Sequence, residues 1–245
     1  MYAFAYERPA ALADAVAKIS AGGQALAGGQ TLIASLKQRL AQPSSLVDLA
    51  AVSELSGIKK EGNTLVIGAM TRHEFVADSA EVKASIPGLA DLAGNIGDRQ
   101  VRAMGTMGGS VANNDPAACY PSAVLALGAT VQTNKRKIAA DDFFQGMYTT
   151  ALEEGELITA IHFPLAKKSA YAKFRQPASR FALVGVFVAQ TDQGVRVAIT
   201  GAGNGVFRHA GLEAALSKSF TPEAVEGVAI DASELNADLH ALSLI

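Results

Sequence analysis

The sequence predicts an α+β chain in three successive units, and three observations carry that reading. Over residues 1–57, short apolar segments alternate with stretches of helical periodicity, the pattern of a small α/β unit with a mostly parallel sheet. Over 58–168, hairpin signals flank a run of helical segments. From Ser169 to residue 245, alternating strands come first and helical stretches follow.

Tyr2–Tyr6 reads as the first strand. Pro9 suits the first turn of a helix in which Leu12, Val16 and Ile19 recur at helical spacing, and Gly22–Gly23 stop it. Ala25–Ala27 is a short buried strand. Thr31–Leu40 follows as a helix, with Leu32, Ile33, Leu36 and Leu40 on one side and Lys37 and Arg39 turned outward. Ser45–Leu49 is the third strand. The second unit opens with a hairpin about Glu61-Gly62-Asn63 and continues with helical segments on either side of Pro87. A Gly/Asn-rich loop, GTMGGSVANNDP, runs into a helix. A second hairpin pairs Val131–Thr133 with Arg136–Ala139, and a short helix, a loop and a strand ending at Pro164 complete the unit. In the third unit the strands turn at Asp192–Gly194, and VFRHAGLEAALSKS and TPEAVEGVA read as helical.

Composition narrows the function. With 49% hydrophobic and 18% charged residues, the 245-residue chain reads as a packed globular protein. A net charge of −2 gives no general electrostatic reason to bind nucleic acid or an anionic membrane. The single Cys119 excludes an internal disulfide and a self-contained iron–sulfur cluster, which needs several thiolates. His73, His162, His209 and His240 are scattered, with no helical i, i+4 pair, so no metal site is expected. No basic leader precedes an apolar block, and runs such as FALVGVFVA are too short to span a membrane. The expected location is the cytoplasm.

Two segments carry the candidate chemistry. In Ala27-Gly28-Gly29-Gln30-Thr31, glycines between a strand and a helix leave backbone N–H groups open to a diphosphate, and Thr31 and Gln30 add polar side chains. Taken alone, such a pair is more often only a turn. Thr106-Met107-Gly108-Gly109-Ser110, continuing to Asn113 and Asp115, repeats the logic, although Asp115 before Pro116 also suits a helix cap. Neither segment contains Lys or Arg, which fits a retained cofactor better than a nucleotide that is cleaved. A third glycine loop, in VRVAITGAGNGVFRHAGLEAAL, fails the dinucleotide fingerprint, because Val206 stands where the last glycine belongs; it reads as a structural turn. Cys119 reads as a small buried hydrophobe.

AGGQT and TMGGS together resemble the paired FAD-binding motifs of the flavoprotein (medium) subunit of molybdenum hydroxylases, the carbon monoxide dehydrogenase and xanthine dehydrogenase family. DRQVRAMGTMGGSVANNDPAACYPSAVLALGA, FFQGMYTTALEEGELITAIHFP and YAKFRQPASRFALVGV extend the resemblance over essentially the whole chain, in order. It implies a small α/β FAD-binding subdomain (1–57), a second, larger mixed-sheet subdomain (58–168) that closes the clamp on FAD, and a C-terminal domain of antiparallel sheet and helices (169–245). By the same resemblance, Ala27, Gly28, Gly29, Gln30 and Thr31 cradle the FAD diphosphate from one side, and Thr106, Gly108, Gly109 and Ser110 from the other. Asn113 and Asp115 lie toward its sugar or ribityl hydroxyls. Ile96 packs on the cofactor, and Ile158, with Leu157 as its neighbour, contacts a ring. Lys173 or Arg175 brings a positive charge.

The resemblance further implies an electron-transfer role without catalytic residues on this chain. The expected partners are a large molybdopterin subunit, which oxidises the substrate, and a small [2Fe-2S] subunit, assembled as a dimer of heterotrimers (a heterohexamer). A terminal acceptor takes the electrons. Three departures stand out. Cys119 replaces an Asp that contacts FAD in some relatives, with Asp115 as a substitute. Ser110 stands where Asn is common. A further helix is expected after ASELNADLH, so the C-terminal domain reads as truncated. The competing readings are a flavin-free assembly subunit with the same fold, and a flavin oxidoreductase of the wider family that shares the N-terminal clamp.

Overall fold

The structure, a computed structural model, describes residues 1–230. The first unit contains β1 (Ala5–Glu7), α1 (Leu12–Ser20), β2 (Gln24–Leu26), α2 (Leu32–Lys37) and β3 (Ser45–Asp48). Its strands run parallel in the order β1-β3-β2, with Tyr6 opposite Leu46 and Ala25 opposite Val47. Parallel neighbours need crossover connections, and α1 and α2 supply them. Ala15 and Ile19 of α1 share a core cluster with Val47, Leu55 and Leu157, which joins this unit to the next.

Three local expectations change here. The first strand is shorter and later than Tyr2–Tyr6. Pro9 precedes the helix, which starts at Leu12 because the Glu54 carboxylate accepts that residue's N–H at 3.0 Å. The second helix ends at Lys37 instead of Leu40. Arg39 is left-handed (φ 59°), Leu40 N–H bonds to Ser35 O and Arg39 N–H to Leu36 O, the paired bonds of a Schellman ending. Leu40 is thereby carried off the helix and is 77% exposed, and Ile33 is also exposed, so the expected apolar stripe reduces to Leu36 with Leu32 half-buried.

The second unit begins with the hairpin β4 (Ile58–Glu61) and β5 (Thr64–Gly68). Six helices follow: α3 (His73–Asp78), α4 (Ala80–Ser85), α5 (Pro87–Gly94), α6 (Arg99–Met104), α7 (Met107–Asn113) and α8 (Tyr120–Ala126). Then come β6 (Thr130–Thr133), β7 (Lys137–Ala139), α9 (Ala140–Phe143), the small ribbon β8 (Phe144–Gly146) and β9 (Thr149–Thr150), and β10 (Ile158–Pro164). The five-stranded sheet has the order β4-β5-β10-β6-β7; expected in mixed form, it is antiparallel at every pairing. The Gly/Asn-rich segment, expected as a loop, is the helix α7. The Thr106 hydroxyl caps it by accepting from Gly109 N–H at 3.2 Å, and left-handed Asn114 (φ 43°) ends it.

The third unit holds β11 (Lys168–Arg175), β12 (Ala182–Thr191), β13 (Gly194–Thr200), β14 (Phe207–Arg208) and α10 (Ala210–Lys218). The four strands pair antiparallel in sequence order. The third glycine loop therefore joins two strands, not a strand and a helix. TPEAVEGVA forms a short 3-10 turn at Pro222–Val225. Phe187 and Ala198 enter the main core beside Tyr120 and Ala123 of α8. Thr200 Oγ1 also bonds to the carbonyl oxygens of Pro116 and Ala118, 2.6 and 2.7 Å away. Among the described residues, no helix is long and apolar enough to cross a membrane. The expected truncation of the C-terminal domain and its further helix lie outside the described residues.

Candidate cofactor site

The fold brings the two glycine segments together. The loop after β2 sits on the junction of α6 and α7. A Cβ added to Gly28 would lie 2.2 Å from Met104 O and 2.7 Å from Gly105 Cα, and one added to Gly109 would lie 3.5 Å from Ala27 Cβ. Gly108 presses on β5's end in the same way, its added Cβ 2.5 Å from Ala69 Cβ and 2.8 Å from Ala69 O. Gly28 and Gly108 thus admit neighbouring protein backbone. That space, expected from the sequence to admit a diphosphate, is taken by protein.

The segments differ in what they offer. Among the described residues, nothing accepts from the backbone N–H of Gly28, Gly29, Gln30 or Thr31. Gly29 turns the chain at φ 70°, a conformation that favours glycine. Gln30 Nε2 donates back to Gly28 O at 3.3 Å, which closes the loop on itself. The second segment's amides are engaged instead: Met107 N–H to Thr71 O at 3.0 Å, Gly108 N–H to Ala69 O at 2.8 Å and Gly109 N–H to the Thr106 hydroxyl. Its free donors are the side chains of Ser110 and Asn113, half-buried and without hydrogen bonds among the described residues. The expectation that both segments repeat one logic is corrected: the first offers open amides and the second offers side chains, because α7's first turn is bound to the 69–71 backbone.

A second group gathers around Asn95, just past α5. Lys173 Nζ donates to Asn95 O at 3.0 Å and lies 3.3 Å from Cys119 Sγ. Arg175 bonds to the Asn95 side chain. Both cations left open by the sequence thus converge on one residue. Ile96 is adjacent, and Arg102 of α6 holds the Ile96 and Gly97 carbonyls at 3.1 and 3.3 Å. α6 consequently spans the two groups, with Arg102 at Ile96 and Met104 at Gly28.

The remaining candidates are placed less centrally. Asp115 does not cap a helix, since α8 starts at Tyr120; its Oδ1 accepts from Ala117 N–H at 2.9 Å and its Oδ2 from Tyr148 at 3.4 Å. Ile158 is 3% exposed within the main core and Leu157 is 9% exposed within the smaller cluster. Each presents little side chain to a ring. β10 reaches the site through its backbone, where Thr159 O accepts from Ala69 N–H at 3.0 Å.

Sequence reasoning misses Asn95, Arg102 and His73. His73 is buried behind the seam, where a Cβ on Gly105 would meet its Nε2 at 2.5 Å, and its ring lies 5.3 Å from that of Tyr120. Burial first, then the Arg102 charge, lowers its pKa to about 4, so it stays neutral near pH 7. Among the described residues, neither its Nδ1 nor the buried Tyr120 hydroxyl has a hydrogen-bond partner. No spacing in the sequence marks these residues, because they meet through helices packed from separate segments.

Comparison with known proteins gives a consistent result. The family model for the FAD binding domain in molybdopterin dehydrogenase matches residues 2–166. The carbon monoxide dehydrogenase medium chain of Afipia carboxidovorans is 40% identical over 201 residues, covering 78% of this chain and 70% of that one. Its counterpart in Hydrogenophaga pseudoflava is 36% identical over 242 residues, covering 92% and 84%. The solved structure of the Hydrogenophaga pseudoflava carbon monoxide dehydrogenase lacking the Mo-pyranopterin moiety matches with a TM-score of 0.88 at 35% identity, over 99% of this chain and 93% of that one.

Proposed function

The chain belongs to the family of FAD-binding domains of molybdopterin dehydrogenases, and from that we propose that it is the electron-transfer subunit of a molybdenum-containing hydroxylase, set between an iron–sulfur partner and a terminal acceptor. It is an oxidoreductase subunit with FAD as its cofactor. Its similarity to medium chains of multi-subunit enzymes supports a large molybdopterin partner, where the substrate is oxidised, and a small [2Fe-2S] partner. The single Cys119 agrees with clusters held elsewhere. The division we infer is a clamp of 1–57 and 58–168 followed by a C-terminal domain, in a dimer of heterotrimers.

The observation that carries this reading is the amide loop Gly28–Thr31, unpartnered among the described residues and seated against residues 104–109. Four free N–H groups beside a neutral rim fit a diphosphate that is held and not cleaved. In this reading the Gly28–Thr31 amides hold the diphosphate, and Ser110 and Asn113 meet it or its neighbouring hydroxyls from the other side. Ala27, Thr106 and Gly109 shape the seam, Gly28 and Gly108 let it close, and Asp115 and Ile96 border the cofactor. Lys173, braced by Asn95, brings a positive charge, and Ile158 backs the site from the core. Bound there, FAD supplies one- and two-electron redox chemistry. The chain's own part is to bind, orient and shield; no acid or base on it is required.

The test is direct. The purified chain is expected to show flavin absorption bands, or to take up added FAD with quenching of flavin fluorescence. A chain with neither would overturn the reading. A colourless chain that still binds both partner subunits would establish the flavin-free assembly role instead.

A further inference from the structure

We propose that the tip of the hairpin joining β11 and β12, residues 176–181, docks an acidic iron–sulfur protein, the electron donor of this subunit. The inference rests on the function proposed above. The first observation is charge. From Leu157 to Thr191 the chain has no Asp or Glu, yet it carries Lys167, Lys168, Lys173, Arg175 and Arg180, in a protein of net charge −2. Asp192 answers Lys167 at 2.9 Å. Among the described residues no carboxylate answers the other four, and the Arg180 guanidinium has no protein partner.

The second observation is exposed aromatic surface. Phe174, just before the tip, is 65% exposed, and Phe181, its last residue, 48%. Phe and Arg are enriched in protein interfaces, where the aromatic ring fills a pocket and the guanidinium pairs with carboxylates. The third is rigidity. Gln176 Oε1 accepts from Ala178 and Ser179 N–H at 2.5 and 2.9 Å, Ser179 Oγ accepts from Phe181 N–H at 3.3 Å, and Gln176 N–H bonds to Phe181 O at 2.9 Å. A tip fixed before association loses less conformational freedom on binding.

Position selects an electron donor among acidic partners. β11 turns Lys173 and Arg175 onto Asn95, beside Ile96 and Cys119 of the candidate cofactor site. A partner on the tip therefore stands next to that site. A second copy of this chain is disfavoured there, because two cationic tips repel.

The complex is purified from its native host through a tag on this chain, and flavin, molybdopterin chain and iron–sulfur chain are quantified. For the double variant Arg180→Glu with Phe181→Ser, at least a ten-fold loss of the iron–sulfur chain is expected, with flavin and molybdopterin chain retained. Undiminished iron–sulfur chain would overturn the inference. The conservative Arg180→Lys variant gives a reading that does not depend on disruption. Carbodiimide, which joins amines to carboxylates, is expected to link Lys at position 180 to an Asp or Glu of the iron–sulfur chain. A link to another chain, or none, would overturn it. Wild-type complex without flavin bands would instead overturn the function proposed above, and a yellow complex whose iron–sulfur chain ignores the hairpin overturns this inference alone.

Discussion

Gly28 lies against the backbone of Met104 so closely that a methyl group in place of its α-hydrogen would come within 2.2 Å of the Met104 carbonyl oxygen. Gly109, in the facing segment, meets only the Thr106 hydroxyl at 2.9 Å and Ala27 Cβ at 3.5 Å. Gly28→Ala must therefore move backbone, whereas Gly109→Ala shifts one side chain. We expect Gly28→Ala to lose about 1–3 kcal/mol of stability, as overpacking does, together with flavin retention. Gly109→Ala should keep its flavin and melt close to wild type. Equal behaviour of the two variants in thermal melts would contradict this seam. Gly108→Val is a poor test of ligand contact, since it collides with Ala69 and would disturb fold and cofactor alike.

Gln30→Ala separates side-chain from main-chain recognition. The Gln30 amide bonds to Gly28 O in its own loop, so the backbone N–H groups carry the site. We expect FAD affinity within about five-fold of wild type, equivalent to about 1 kcal/mol. A hundred-fold loss in a fluorescence titration would assign the Gln30 side chain a direct contact.

Thr106→Ala removes the cap of α7 and frees the Gly109 N–H. The expected cost is about 1 kcal/mol, and Thr106→Ser should restore most of it, because the serine hydroxyl can accept the same bond. Denaturant midpoints for the two variants check this; equal losses would show that the threonine methyl matters and the hydroxyl does not.

His73 gives the fold an acid sensitivity above pH 4. Its pKa is about 4 in the folded chain against an ordinary 6.5. Below 6.5 the unfolded chain binds a proton that the folded chain refuses, so stability falls as pH drops and the loss levels off below about 4. The full effect is roughly 3 kcal/mol. His73→Phe, of similar shape, should flatten stability across pH 4–6.5. An unchanged slope would place the acid sensitivity elsewhere.

Glu156 acts in a lower window. Burial alone would raise its pKa, but two bonds from Arg136, the Glu153 N–H and the Thr133 hydroxyl outweigh burial and hold it at about 2, against an ordinary 4.5. A lowered carboxylate pKa stabilises the fold above 4.5, and that contribution is lost as pH falls from there to about 2. Glu156→Gln should cost about 2 kcal/mol at pH 7 and abolish the dependence in this window, measured by urea unfolding at each pH.

Much of the fold was legible because local chemistry and tertiary context agree there. The parallel β1-β3-β2 unit follows from apolar stubs separated by helical periodicity. The β4–β5 hairpin follows from Gly62 at its turn, where φ is 59°, and the long β12–β13 pairing from alternation about Asp192–Gly194. The α7 segment is not legible as a helix in the sequence, because glycine and asparagine have low helix propensity. Its hydrogen bonds to Thr71 and Ala69 reach 36 and 39 residues back along the chain, beyond the reach of propensity.

By itself, the sequence determined the two glycine segments free of Lys and Arg, which suit a held diphosphate, and a lone cysteine that cannot carry an iron–sulfur cluster. Tertiary structure decided how those residues divide the work. Packing engages the amides of Met107 and Gly108 with the 69–71 backbone, the Thr106 hydroxyl takes that of Gly109, and those of 28–31 stay open among the described residues. It also brings Lys173 and Arg175 to Asn95, across 78 and 80 residues of chain. A backbone N–H looks the same in every sequence. Whether it is free depends on which carbonyl the fold sets before it, and only the assembled chain fixes that.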